Sequence, residues 1–212
     1  MNHEFSAVWL TKLRPVAPVI PTSQPLEKAG WRTLGRQLQL ARNPLQRKVL
    51  NTRIANDISR LATHLQAQIV GLYAPIGGEV DTRELANLLI VAGVRLAYPR
   101  VKTDNSAMDF VLADGPSALV ARPRSRLMEP VGPAIEPQAL DIVVVPALAI
   151  RGDLKRLGTG GGFYDRYLPQ LNTGAVSIGI VPGSCLLQWG PVEAHDVALT
   201  AVCCENGFFG KT

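Results

Sequence analysis

Between Asp141 and Arg166 the chain concentrates residue types that handle a phosphorylated ligand. An apolar run, Asp141-Ile-Val-Val-Val-Pro146, precedes Lys155-Arg-Leu-Gly-Thr-Gly-Gly-Gly-Phe-Tyr-Asp-Arg166. This reads as a buried strand, a glycine loop and a helix beginning near Gly162. A loop of this kind aims backbone N–H groups and the positive end of the helix dipole at an anion, beyond the carboxyl end of a strand in an open α/β sheet. Two familiar phosphate loops do not match. The dinucleotide pattern G-x-G-x-x-G needs a glycine where Phe163 stands, and G-x-x-x-x-G-K-[ST] meets Phe163 and Tyr164 after Gly162. Glycines alone are equally consistent with a tight strand-to-helix turn. Arg156 before the loop and Asp165 after it favour chemistry, since a guanidinium pairs with phosphate and a carboxylate is a hard oxygen ligand for Mg²⁺.

The run Arg156-Leu-Gly-x-Gly-Gly-Gly-Phe-Tyr-Asp-Arg166 resembles the signature of the 5-formyltetrahydrofolate cyclo-ligase family. Further landmarks are similar in order and spacing: Arg32-x-x-x-Arg36, Tyr73-x-Pro75, Glu79-Val-Asp-Thr82, Tyr98-Pro-Arg100, Met108-x-Phe110, Glu129-Pro130 and His195-Asp196. The resemblance spans about Trp31 to Glu205. It implies a single domain over residues 27–212 with the α/β fold of a three-layer α/β/α sandwich around a mainly parallel sheet, Rossmann-like and of the NagB/RpiA/CoA transferase-like kind. The implied activity is ATP- and Mg²⁺-dependent conversion of 5-formyltetrahydrofolate to 5,10-methenyltetrahydrofolate, with release of ADP and phosphate.

Carried onto this chain, the resemblance gives Arg32 and Arg36 to the ATP phosphates. The stretch Arg156, Leu157, Gly158, Thr159, Gly160, Gly161, Gly162, Phe163 and Tyr164 would bind ATP, with Arg156 and the loop amides holding the transferring phosphoryl group. Asp165 would bind Mg²⁺, with Asp196 as a second ligand, and Arg156 and Asp165 are the catalytic pair. Glu79 would contact the pterin, because a carboxylate matches the paired N–H donors of an aminopyrimidinone. Tyr73, Phe163 and Tyr164 would wall the folate or nucleotide. The chain departs from the family pattern at several places: Arg32 for a usual lysine, Thr159 in the loop, Ile150-Arg151 for Phe-Asp, Leu154 for a turn glycine, and Pro182 and Cys185 for Tyr and Gln. A diverged member that binds nucleotide, folate or RNA without turnover is the alternative these departures leave open.

The elements that must position these residues follow from periodicity. Residues 1–26 hold Pro15, Pro18, Pro21 and Pro25 without a sustained pattern and read as a proline-rich arm. Trp31, Leu34, Leu38 and Ala41 recur at helical spacing over 27–42, so Arg32 and Arg36, four apart, share one face. Asn43-Pro44 supplies an N-cap and a first-turn proline for a second helix reaching about Gln66, with Leu45, Val49, Ile54, Ile58, Leu61 and Leu65 as its apolar stripe. Then come a strand at Ile69 to Tyr73, a helix through Leu85 to Ala92 with Asp81 or Thr82 as cap, and a strand at Val94 to Tyr98. This is a βαβ unit. Met108 to Leu112, Asp141 to Val145, Val176 to Val181 and Val197 to Cys203 read as further strands, and Arg122-Pro-Arg-Ser-Arg126 as an exposed loop.

Composition narrows the class. At 212 residues with 47% hydrophobic and 18% charged, the chain has material for one real core and is not a disordered protein. The net charge is +5, and seven of the 22 basic residues lie between 31 and 60 against one acid, Asp57. Charge gathered in one segment asks which anion meets it, and beside the glycine loop the expected partners are ATP and folate, with nucleic acid the less favoured one. Cys185, Cys203 and Cys204 cannot build a disulfide framework and read as small apolar residues of a reducing compartment. The scattered His3, His64 and His195 exclude a zinc motif. No apolar run reaches membrane-span length and no signal-peptide pattern opens the chain. The expectation is a cytoplasmic monomer or weak dimer.

Overall fold

The computed structural model describes residues 13–15, 27–104, 107–188, 190–191 and 193–210. Most of the proline-rich arm therefore lies outside the described residues. The strands are β1 (Arg14–Pro15), β2 (Ile69–Gly71), β3 (Arg95–Val101), β4 (Met108–Leu112), β5 (Val120–Ala121), β6 (Met128–Glu129), β7 (Ala134–Ile135), β8 (Ile142–Pro146), β9 (Ala149–Arg151), β10 (Arg156–Leu157), β11 (Val176–Ile180), β12 (Leu186–Leu187), β13 (Ala201–Cys204) and β14 (Gly207–Gly210). The helices are α1 (Lys28–Leu40), α2 (Pro44–His64), α3 (Arg83–Val91) and α4 (Phe163–Tyr167).

Nine strands form one sheet in the order β1-β14-β13-β11-β8-β2-β3-β4-β7. Its centre, β13 through β3, is parallel, while β14 and β4 pair antiparallel at the flanks. Period-2 alternation splits the side chains of each central strand between two cores. Ile69, Val143, Val145 and Val202 pack with Trp31 of α1 and with Tyr164 and Tyr167 of α4. Val70, Ile142, Val144 and Ile178 pack with Ile54 and Ile58 of α2 and with Leu85 and Leu89 of α3. The result is the expected three-layer α/β sandwich with a mainly parallel sheet. Strands β10-β9-β12 form a second small sheet and β5-β6 a hairpin.

Several local expectations are met and several corrected. Asn43 caps α2: its side chain accepts from the Gln46 N–H while the Gln46 side chain accepts from the Asn43 N–H, with Pro44 at the first helical position. The stripe of α2 starts later than its periodicity indicates: Leu45 and Val49, near its start, are 71% and 45% exposed, and the buried residues begin at Leu50. Thr82 does not cap α3 with its side chain. Its hydroxyl donates to the Tyr73 carbonyl, and Asp81 accepts the Arg83 N–H instead. The last central strand covers Ala201–Cys204, not Val197 onward. Within the 122–126 segment, Arg122 is tied to Glu129 and to the Val101 carbonyl. The three cysteines are free and buried, and burial pushes the Cys185 thiol up to about 11.

Candidate active site

Strand order reverses between β8 and β2. The chain runs from β2 to β3 on one side and from β8 to β11 and β13 on the other, which opens a crevice beyond the carboxyl ends of β8 and β2. A cavity of about 290 Å³ occupies this place. Pro146 at the end of β8 with Ala147 and Leu148 after it, Tyr73, Ala74 and Ile76 after β2, and Pro99 and Val101 of β3 line it. The glycine loop, α1, and the turn at 193–196 close it.

Helix α1 is held against the end of β8 by two contacts. The Gln39 amide donates to the Ala147 carbonyl at 2.6 Å, and Gly35 sits where a side-chain carbon would stand 3.0 Å from Leu148. This docking directs Arg32 into the cavity, where its Nε donates to the Gly158 carbonyl at 3.2 Å. Arg36 is exposed and does not line the cavity. Lys28, one turn earlier on the same face, does. The expected pair Arg32 and Arg36 is thus replaced at the cavity by Lys28 and Arg32.

The hairpin of β9 and β10 carries Arg156 to the cavity wall. Its Nη2 meets Asp165 Oδ2 at 2.7 Å, with the two side chains only 6% and 12% exposed, and its guanidinium lies 5.3 Å from the centroid of the Tyr164 ring. Arg156 Nε and the Tyr164 hydroxyl are buried without a hydrogen-bond partner among the described residues. Groups of this kind are expensive unless a ligand or water completes them. Between them the loop of Gly158, Thr159, Gly160, Gly161 and Gly162 lines the cavity, as does Phe163. Gly160 has φ +114°, a conformation that L side chains rarely adopt, and a side chain there would meet the Arg32 guanidinium at 3.2 Å. Leu157 belongs to the buried core, pointing away from the cavity it was expected to line.

Glu79 also lines the cavity, half-buried, and its Oε2 accepts the Ile76 N–H at 2.9 Å. Burial raises its pKa above the ordinary carboxylate value, opposed by that hydrogen bond. Tyr73 is buried beside it, its hydroxyl donating to the Val80 carbonyl at 2.9 Å. Met108, Leu127, Met128 and Glu129 complete an apolar side of the cavity. Glu129 is anchored by the Val101 N–H and by Arg122. Met108 and Glu129 stood in the sequence as landmarks without a role, and nothing in the sequence singled out Leu127 and Met128.

The residues offered for a metal ion separate. Asp165 is committed to Arg156, and its second oxygen accepts the Val197 N–H at 3.4 Å. Asp196 lies in a group with Glu193 and His195 whose ligand atoms all fall within 4.8 Å of one another. Carboxylates are hard oxygen donors of the kind Mg²⁺ takes, one or two at a time with water completing its shell, so Asp196 and Glu193 fit that ion better than Asp165 does. Arg151, the base standing where the family has an acid, is turned away from the cavity: it pairs with Asp153 and donates to the Gly190 carbonyl at 2.9 Å. Leu154 takes the left-handed backbone a turn glycine would take, φ +65°.

A switch-point cavity in a parallel sheet, lined by a glycine loop, two α1 cations and a buried Arg–Asp pair, belongs to an α/β enzyme of nucleotide-dependent group transfer. The sequence profile of the 5-formyltetrahydrofolate cyclo-ligase family matches residues 27–205, and the chain belongs to that family. It is 35% identical over 144 residues to the 5-formyltetrahydrofolate cyclo-ligase of Mycolicibacterium smegmatis, covering 65% of this chain and 74% of that one. Against the Escherichia coli enzyme of the same name it is 28% identical over 171 residues, covering 79% and 94%. The fold is similar to that of Aquifex aeolicus 5,10-methenyltetrahydrofolate synthetase, with a TM-score of 0.74, 23% identity, and 87% and 93% of the two chains covered. For the Mycoplasma pneumoniae synthetase the TM-score is 0.70, with 23% identity and 85% and 99% covered. No helix among the described residues is long and apolar enough to cross a membrane.

Proposed function

We propose that this chain is an ATP-dependent 5-formyltetrahydrofolate cyclo-ligase, giving 5,10-methenyltetrahydrofolate, ADP and phosphate. The observation that carries the reading is the convergence on one cavity of Arg32, Arg156 and the loop Gly158 to Gly162 with Glu79, Tyr73 and apolar side chains. The cations and loop suit a triphosphate, and the carboxylate with the apolar side chains suits an aminopyrimidinone with its aryl extension.

In this reading the formyl oxygen of the substrate attacks the γ-phosphorus of ATP and ADP leaves. N10 then closes on the activated carbon and phosphate departs. Such a sequence asks the protein mainly to position and to neutralise. Arg156 holds the transferring phosphoryl group with its outer guanidinium edge, while Asp165 fixes the guanidinium from behind. Arg32 and the loop amides take the remaining phosphate oxygens. Tyr164 offers its orphan hydroxyl, and Glu79 accepts from the pterin N–H donors. Asp196 with Glu193 would hold Mg²⁺, which supplies charge neutralisation on the phosphates; Asp165 serves Arg156 first.

Formation of the methenyl chromophore, strictly dependent on both ATP and 5-formyltetrahydrofolate, tests the reading. No product above a protein-free control would overturn it. The binding-only alternative is less well supported, because the basic segment is not one surface: Arg32 lines the cavity, Arg42 is bonded to Ser184 beside Glu205, and Arg53 donates to the Glu205 carbonyl. A reducing, cytoplasmic setting fits the three buried free thiols, and a monomer or weak dimer remains the expected state.

A further inference from the structure

Strand β3 outruns its neighbour. The pairing of β2 stops with Gly71 against Ala97, while β3 continues along β4 to Val101. The far end of β3 therefore has one edge with no strand paired to it, and backbone groups on such an edge need other partners. At Val101 two side chains supply them: the Glu129 carboxylate accepts the N–H at 3.0 Å, and Arg122 Nη1 donates to the carbonyl at 3.1 Å. The same Nη1 lies 3.0 Å from Glu129 Oε1, with the two side chains 19% and 12% exposed, too buried for the pair to count as a surface one. Arg122 follows β5 and Glu129 ends β6. That hairpin pairs two residues on each strand and bonds to no other strand, which is too little to hold a place by itself. On either side of it stand Gly115 and Gly132, both at φ +141°, so neither connection stiffens it. Yet it carries Leu127 and Met128 to the cavity.

We infer that Arg122 and Glu129 are positioning residues that splice the hairpin to the bare edge of β3, and that the apolar wall so fixed keeps water from the activated formyl carbon. The inference rests on the cyclo-ligase reading above. Once phosphorylated, that carbon has two competing nucleophiles. Attack by N10 forms the ring C–N bond, the carbon–oxygen bond breaks, and phosphate leaves with the N10 proton. Attack by water bonds its oxygen to the same carbon, phosphate leaves with both water protons, and 5-formyltetrahydrofolate is regenerated with net hydrolysis of ATP. N10 is held in the same molecule as the carbon, whereas water must enter, so a dry wall favours ring closure. Leu127 and Met128 supply that wall only while the hairpin is docked.

The test counts phosphate released against methenyl product formed by the full chain with ATP and 5-formyltetrahydrofolate saturating. The unsubstituted chain is expected to release one phosphate per methenyl. Arg122→Met and Glu129→Ala are each expected to release about two or more, as water competes with N10 for the carbon. A merely structural loss lowers both products together and leaves the ratio at one. Glu129→Gln keeps an acceptor for the Val101 N–H and is expected to bring the ratio back toward one. Tryptic cleavage after the exposed Arg126, followed by mass spectrometry without ligands, reads the splice itself. It should run about tenfold faster or more in Arg122→Met, the added opening that loss of charge-assisted hydrogen bonds allows. Faster cleavage with the ratio still at one overturns the inference, and so does unchanged cleavage. Failure of the cyclo-ligase reading shows differently, as no methenyl product from the unsubstituted chain, and the cleavage rates then uphold or overturn the splice on their own.

Discussion

Arg156 is the residue on which most of the site's chemistry converges. In the proposed reading its replacement by Ala removes a phosphate ligand, and it strands the Asp165 carboxylate among buried groups, so kcat/KM should fall by about a hundredfold or more and stability by about 3–5 kcal/mol. Asp165→Asn in the same background should recover stability in a melting experiment without recovering rate, which separates the two roles. For the α1 arginines, Arg32→Ala should raise the KM for ATP by about tenfold or more, the value of a charge-assisted contact, while Arg36→Ala should leave it within about twofold. Equal effects would restore Arg36 to the site. Helical spacing placed both arginines on one face, but a face is an azimuth, and each turn advances about 5.4 Å along the axis. Where the cavity ends along α1 is decided by Gln39 and Gly35 docking on residues 147–148, which no local pattern in α1 encodes. Glu79 gives a pH signature. Burial raises its pKa, so the protonated form is favoured in the folded chain below that value, and stability from this group is lost as pH rises through it. In the proposed reading the pterin takes the ionised carboxylate, so the KM for the folate should fall with rising pH across a step displaced upward from the ordinary glutamate value. Glu79→Gln should flatten that step in both steady-state kinetics and thermal melting.

Among the elements, the glycine loop and its helix were legible because their residue types are dictated by backbone geometry and anion chemistry together. The turn before them was legible only as a departure. Leu154 occupies a left-handed position at φ +65° and is 2% exposed, so two effects compete when it becomes glycine. Relief of the left-handed backbone returns about 1–2 kcal/mol, and loss of a buried leucine side chain costs about 3–5 kcal/mol. Leu154→Gly should therefore destabilise by about 2 kcal/mol in denaturant titration; a stabilised protein would show that the turn, not the core, sets this residue. The capping box at Asn43 is the converse, a feature fully readable in sequence, and Asn43→Ala should cost about 1 kcal/mol. The exposed start of α2 escaped the periodic reading since an apolar stripe shows which face turns inward, not how far the sheet beneath it extends.

At the scale of the whole molecule, apolar runs alternating with helical ones yielded the strands, the helices and one βαβ unit, while the mainly parallel three-layer sheet came from the family resemblance. Which strands neighbour each other is long-range information carried by both cores at once, and there the family resemblance did what periodicity could not. The charge arithmetic also changes meaning: the basic segment divides between the cavity, internal ties and solvent. Its exposed part should still draw in anionic substrates, so kcat/KM for ATP should fall as ionic strength rises from low to physiological values while kcat holds. A rate indifferent to salt would leave those arginines without a steering role. One property of the cavity has a broader effect. It is assembled from α1, the ends of β2, β3 and β8, the β6 region, the 156–165 loop and the 193–196 turn, segments up to 168 positions apart in the chain. No fragment that has lost one of these stretches keeps the whole wall, so ligand binds only the fully closed fold and opposes its global opening by mass action. Amide hydrogens of β8 and β11, whose exchange requires that opening, should slow together when ATP and folate are added, although those strands are buried under the cavity and touch neither ligand along most of their length.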